Sequence, residues 1–82
     1  MDKYLVRHAA GEYWLILPEQ KQEYRTPLKI NESAAEIIRL LQSGKSVHET
    51  AVLLSEGDNT IVEEIEQDIE ALNEQIHRHF YP

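Results

Sequence analysis

Cysteine is absent from this chain of 82 residues, which excludes a disulfide framework and any thiolate metal site. No apolar run approaches the roughly 20 residues that a membrane-spanning helix needs. The start, MDKYLVRH, is too polar for a secretory signal peptide. Nothing in the sequence therefore indicates an oxidising compartment or a membrane, and we expect a cytoplasmic protein.

Basic residues are scarce, and the net charge of -7 is unevenly placed. Residues 1–30 are close to neutral, with five basic and four acidic side chains. From Glu56 to Glu74 there are eight acidic side chains and neither lysine nor arginine. This distribution repels phosphate backbones and favours basic or neutral partners.

The overall composition is that of an ordinary globular protein, with 41% hydrophobic and 28% charged residues. A chain of this length forms one modest core, because small domains bury a limited share of their surface. We therefore expect residues 1–82 to fold as a single domain.

The first third of the chain has the pattern of strands. Residues 4–8 and 12–17 are rich in β-branched and aromatic side chains, and residues 9–11 between them supply a short turn that ends in Gly11. The pattern predicts a β-hairpin.

Residues 23–30 are predicted to form a third strand at the edge of the sheet. Apolar and polar side chains alternate there with a period of two, which is typical of a half-exposed strand. Pro27 cannot donate a ladder hydrogen bond, so this strand belongs at an edge or a bulge. Its unpaired backbone groups would be available to another chain, although a proline in an edge strand also serves simply to discourage aggregation.

Helical signals begin at Asn31. This residue is a good N-cap for a helix over residues 32–43, which Gly44 would end. Ser46 and Glu49 form the pattern of a capping box that opens a second helix, ending near Gly57. A capping turn at residues 58–60 precedes a third helix, which is predicted to reach about residue 78 and to leave residues 79–82 as a frayed end. Its apolar stripe comprises Ile61, Val62, Ile65, Ile69, Leu72 and Ile76.

The order of elements predicts an α+β fold, with a three-stranded antiparallel sheet followed by three helices in a winged helix-turn-helix-like arrangement. Several segments resemble the PqqD family: NESAAEII at 31–38, the glycine at 44, SVHETA at 46–51 and EIEQDIEAL at 64–72. The segment RHAAGEYWLI at 7–16 is similar to that family's first hairpin. The resemblance extends from about residue 5 to residue 76.

Membership of the PqqD family would imply a peptide chaperone without catalytic residues or cofactors. Such domains are recognition elements for ribosomally made, post-translationally modified peptides, and they bind the leader segment of a precursor as an extra strand beside the third strand and third helix. They deliver it to a maturation enzyme. The expected partner is a radical-SAM maturase, as in pyrroloquinoline quinone biosynthesis, or a leader peptidase acting with a lasso-peptide cyclase.

The resemblance and the edge-strand pattern together give a candidate peptide-binding groove. Its strand side would comprise Arg25, Thr26, Pro27, Leu28 and Lys29. Its helical wall would comprise Ile61, Glu64, Ile65, Asp68 and Leu72, which share one side of the third helix.

Within this groove, Leu28 and Ile65 are expected to form an apolar pocket, and burial rather than charge is expected to dominate affinity. The basic strand residues would suit acidic leader residues, and the acidic helix residues would suit basic ones. The competing interpretation is that the stripe is core and that the acidic helix is a solvated face.

Other functional classes fit the sequence less well. A DNA-binding regulator is disfavoured because the third helix has neither lysine nor arginine before Arg78. No nucleophile constellation or phosphate loop indicates an enzyme, and His77 and His79 are too poorly arranged to predict a metal site. A generic protein-interaction module using the same edge stays open, as do monomeric and homodimeric states.

Overall fold

The structure is a computed structural model that describes residues 3–18 and 26–81. It confirms the α+β class, with a three-stranded antiparallel sheet followed by three helices. The elements are β1 (Leu5–Ala9), β2 (Glu12–Ile16), β3 (Leu28–Ile30), α1 (Glu32–Gln42), α2 (Val47–Leu54) and α3 (Val62–Phe80). Within the described residues, none of the helices has the length and apolar character needed to cross a membrane.

The predicted hairpin is confirmed. β1 and β2 pair antiparallel from Leu5 opposite Ile16 to Ala9 opposite Glu12. The turn consists of two residues, Ala10 and Gly11, with φ of 54° and 77°. Positive φ at both positions is what a type I′ hairpin turn requires, and this turn matches the natural twist of the paired strands.

β3 lies at the edge of the sheet but is shorter than the predicted strand. It pairs with β2 from Leu28 opposite Leu15 to Ile30 opposite Tyr13, and the strand order is β1-β2-β3. Thr26 and Pro27 precede the strand without regular pairing, and residues 23–25 lie outside the described part of the chain. Regular pairing begins directly after Pro27, the residue that has no N–H to donate.

The caps of the first two helices are those that the sequence predicts. The Asn31 side chain accepts a 2.7 Å hydrogen bond from the Ala34 N–H at the start of α1. Gly44 follows that helix with φ of 99°. At α2, the Ser46 hydroxyl accepts from the Glu49 N–H and the Glu49 carboxylate accepts from the Ser46 N–H, both at 3.0 Å. This capping box satisfies two N–H groups that the helix itself leaves without partners.

α3 begins without the predicted side-chain cap. Asp58 accepts hydrogen bonds from the backbone and hydroxyl of Thr60, which closes a turn before the helix. The N-cap position is occupied by Ile61, whose side chain makes no capping hydrogen bond. The polar turn therefore fixes the approach to α3, and the helix starts at Val62.

The prediction of a frayed end at residues 79–82 is wrong for the residues that the structure describes. His79 and Phe80 belong to α3, and Phe80 is only 1% exposed. Its ring lies 5.3 Å from that of Tyr4, centroid to centroid. Burial of this large aromatic side chain in the core stabilises the last turn of α3 and keeps it helical.

The core lies between the sheet and the three helices. Ile69 and Ile76 of α3 are buried, as predicted, and they belong to the same cluster as Leu15 of β2 and Ile38 of α1. α3 is the longest of the described elements, and its buried apolar stripe runs from Val62 to Phe80. One side of this helix is therefore fixed by the core, and its remaining surface is free to line a site.

Candidate functional site

A groove of about 450 Å³ lies where the end of β3, the start of α1 and the middle of α3 meet. We call it the edge groove. The strand side contributes Lys29 and Ile30, followed by the N-cap residue Asn31. The side formed by α1 contributes Ser33, Ala34 and Ile37. The groove thus begins at β3, one of the two edge strands of the described sheet.

α3 forms the opposite wall of the edge groove. It contributes Asp68, Ala71, Leu72 and Gln75, which are spaced by three and four residues and so share one face of the helix. Leu72 faces inward and is buried, whereas the other three side chains are exposed. The same helix therefore supplies both core and groove wall.

The floor of the groove is apolar. Ile30, Ile37 and Leu72 are buried beneath it, and Ala34 and Ala71 line it with methyl groups alone. Small side chains on two facing helices leave the space that a longer side chain would fill. An aliphatic side chain placed there would lose water-exposed surface on several sides, which is favourable.

The charges around the groove are not balanced. The Lys29 ammonium lies 3.4 Å from the Glu12 carboxylate on β2, so a partner within the sheet already offsets its charge. Asp68 makes no ion pair with any residue in the described part of the chain. Glu64 lies one turn before Asp68 on the same side of α3. The helical wall is therefore the negatively charged side of the groove.

The structure brings three of the predicted site residues together: Lys29, Asp68 and Leu72 line the edge groove. Leu28 and Ile65, the predicted apolar pocket, do not line it; both are half-buried and pack against the core cluster.

The other predicted residues lie around the groove or beyond it. Ile61 is half-buried at the start of α3, and Glu64 is exposed. Thr26 and Pro27 are exposed just before β3, and Arg25 lies outside the described residues.

Several groove residues were missed by the sequence analysis, which treated Asn31 as a cap only and assigned no role to the first half of α1. Ala71 and Gln75 follow Asp68 at spacings of three and seven, so the helical periodicity contained the signal for them. The α1 residues carried no such signal, because their position beside α3 depends on tertiary packing.

A hydrogen bond joins the last turn of α3 to the segment just before β3. The His79 Nε2 lies 2.7 Å from the Thr26 carbonyl oxygen, and since a carbonyl only accepts, the imidazole N–H donates. The last turn of α3 thus lies near the start of β3, while the middle of α3 lies near the strand's end. The helix and the strand run in opposite directions along the groove.

The domain has a second surface with exposed apolar side chains. On α2, Val52 and Leu53 are 42% and 52% exposed, and they lie beside Lys45 and His48 on a shallow depression. Among the described residues, no strand contributes to this depression. In the described part of the chain, no group of three or more metal-ligating side chains is positioned to hold a metal ion.

Comparison with known proteins finds no match: no family model, no curated protein and no solved structure. The fold and the site define a small α+β domain in which an edge strand lies beside a groove with an apolar floor and an acidic residue, Asp68, on its helical wall.

Proposed function

We propose that this protein is a leader-peptide-binding domain of the PqqD-like kind. It takes the leader segment of a ribosomally made precursor as an added strand along β3 and delivers the precursor to a maturation enzyme in the cytoplasm. The observation that carries the proposal is the edge of β3, which has a partner on one side only among the described strands and opens beside the edge groove. Such an edge supplies main-chain hydrogen bonds, and the groove supplies side-chain selectivity.

The dimensions of strand and helix agree with this mode of binding. β3 has three residues, which correspond to about 10 Å of extended chain. On the helical wall, Asp68 and Gln75 are seven residues apart, or about 10 Å along the axis. Both sides of the groove are therefore matched to a peptide segment of about three to four residues.

The sequence resemblance supports the same assignment. The segments similar to the PqqD family at 31–38 and 64–72 include Asn31, Ser33 and Ala34 on one side of the groove and Asp68, Ala71 and Leu72 on the other. The winged helix-turn-helix-like arrangement belongs to this proposal, as does the maturation enzyme, either a radical-SAM protein or a leader peptidase. Chemistry on the precursor would be the partner's task.

A generic interaction module is the second candidate, because the same edge would receive any extended segment or a second copy of the chain. Nucleic acid fits poorly. The exposed side of α3 away from the groove carries Glu63, Glu66 and Glu70. These carboxylates would repel phosphates along the length of a recognition helix.

The test is an NMR titration of the ¹⁵N-labelled protein with the leader peptide of a precursor encoded beside it, and with a scrambled peptide of the same composition. We expect the leader alone to shift the amide signals of residues 28–37 and 68–75. Shifts confined to α2, or equal shifts with the scrambled peptide, would contradict leader binding in the edge groove.

A further inference from the structure

We propose that the peptide segment held in the edge groove carries a basic side chain two positions away from an aliphatic one, with the basic residue facing Asp68. This inference rests on the proposed function and names the class of peptide that the groove selects. Three features carry it: the unequal charges of the two walls, the apolar floor and the spacing of the α3 residues.

The charge of the groove is determined by its helical wall. Lys29 is the basic residue among the described residues that line the groove, and it forms an exposed ion pair with the Glu12 carboxylate 3.4 Å away. An acidic peptide residue would have to compete with Glu12 for that ammonium. Asp68, by contrast, has no ion-pair partner among the described residues, and the nearby Glu64 adds to the negative potential. Among the described residues, none competes with a lysine or arginine of the peptide for Asp68.

The position of the aliphatic residue follows from the floor. Leu72 lies at the base of the groove between Ala34 of α1 and Ala71 of α3, where small side chains leave room. A branched aliphatic side chain entering this space would bury apolar surface against these side chains. Polar side chains would leave donors or acceptors without partners against the methyl groups.

The spacing connects the two requirements. Asp68 and Leu72 are four residues apart, which is about 6 Å along a helix axis. Side chains two positions apart on a strand point to the same side and are separated by about 6.6 Å. A strand that runs along α3 therefore places one side chain over Leu72 and the next on that side at Asp68.

Beyond Leu72 the helical wall changes character, because Gln75 presents a neutral amide. The pattern that fits is thus basic, any residue, aliphatic, any residue, polar. Either chain direction satisfies the spacing, so the pattern applies in both orders.

The experiment selects peptides from a displayed library of random nine-residue sequences, using the wild-type protein, Asp68→Lys and Glu70→Lys. Both substitutions change the net charge equally on the same helix. Asp68 lines the groove, whereas Glu70 lies on the other side of α3. Both residues are exposed, so both variants should keep the fold, which circular dichroism verifies. The most enriched peptides are then synthesised and located by NMR.

We expect wild type and Glu70→Lys to enrich peptides with lysine or arginine two positions from valine, leucine or isoleucine. Replacing that basic residue by methionine should weaken binding about fivefold at low salt, as for an exposed ion pair, and less at high salt. Asp68→Lys should weaken binding of the same peptide about tenfold and should enrich acidic residues at that position instead.

Two contrary outcomes are distinguishable. Peptides that shift residues 28–37 and 68–75 but show no basic preference, or that bind Asp68→Lys as tightly as wild type, would overturn the inference and leave the proposed function standing. Selected peptides that leave those residues unshifted would overturn the proposed function and the inference with it.

Discussion

Filling the edge groove should weaken peptide binding without unfolding the domain, and Ala71→Trp is the substitution that does this. Ala71 is exposed on α3 and presents only a methyl group to the groove. No core contact is removed by the change. The helix propensities of alanine and tryptophan differ by less than about 1 kcal/mol, so the free energy of unfolding should change little.

The loss of affinity can be worked from what the groove would otherwise bury. One aliphatic side chain over Leu72, Ala34 and Ala71 contributes about 1.5–3 kcal/mol when it is fully removed from water. An indole in the same space excludes that side chain, so the dissociation constant should rise about 10- to 100-fold. Ala71→Ser, which keeps the space, should bind within about twofold of wild type, because a hydroxyl group changes little at an exposed site.

The assay is fluorescence anisotropy of a labelled leader peptide, with Glu70→Trp as a control for adding tryptophan to the opposite side of α3. The measurement is made at high salt, where the charge removed by that control is screened. Equal affinity of Ala71→Trp and wild type would refute the edge groove as the binding site. Equal loss in Ala71→Trp and Glu70→Trp would point to a general effect on the helix.

Three further predictions concern the fold that supports the site. Ile69→Ala should lower the free energy of unfolding by about 2–5 kcal/mol in urea denaturation, because Ile69 is fully buried, whereas Val52→Ala at an exposed position should cost less than about 1 kcal/mol. Equal costs would contradict the location of the core. Ser46→Ala should cost about 0.5–2 kcal/mol through loss of the capping box, measured by thermal unfolding; no change would mean that the cap contributes nothing. The pKa of Glu49 is held below its usual value of 4.5, mainly by the hydrogen bond from the Ser46 backbone N–H and secondly by the one with the Ser46 side chain. The stability that the ionised Glu49 carboxylate contributes is therefore present above pH 4.5 and is lost as the pH falls through the folded-state pKa. The stability difference between wild type and Glu49→Gln should shrink on acidification, and a difference independent of pH would contradict this.

The ends of α1 and the start of α2 were predictable because helix caps depend on residues close to one another in the sequence. Asn31, Ser46 and Gly44 act through hydrogen bonds or backbone angles within a few residues of their own position. The prediction for the end of α3 was wrong because the position of residues 79–82 at the chain terminus was given more weight than the apolar pattern. Phe80 continues the stripe four residues after Ile76, and the core contact that this spacing permits decides where the helix ends.

The groove was only partly predictable, for a physical reason. An edge strand can be inferred from Pro27 and from period-two alternation, because both are local properties. Which residues face the edge depends on how far α1 and α3 turn about their own axes when the core packs. That rotation leaves Ile65 packed against the core and brings Ala34 and Ala71 to the groove.

The hydrogen bond between His79 and Thr26 ties the last turn of α3 to the segment that leads into β3. Thr26 lies two residues before the strand, so the contact restrains the way in which the chain enters the sheet. The edge with which a guest chain would pair is therefore held at its start by the same helix that forms the opposite wall of the groove.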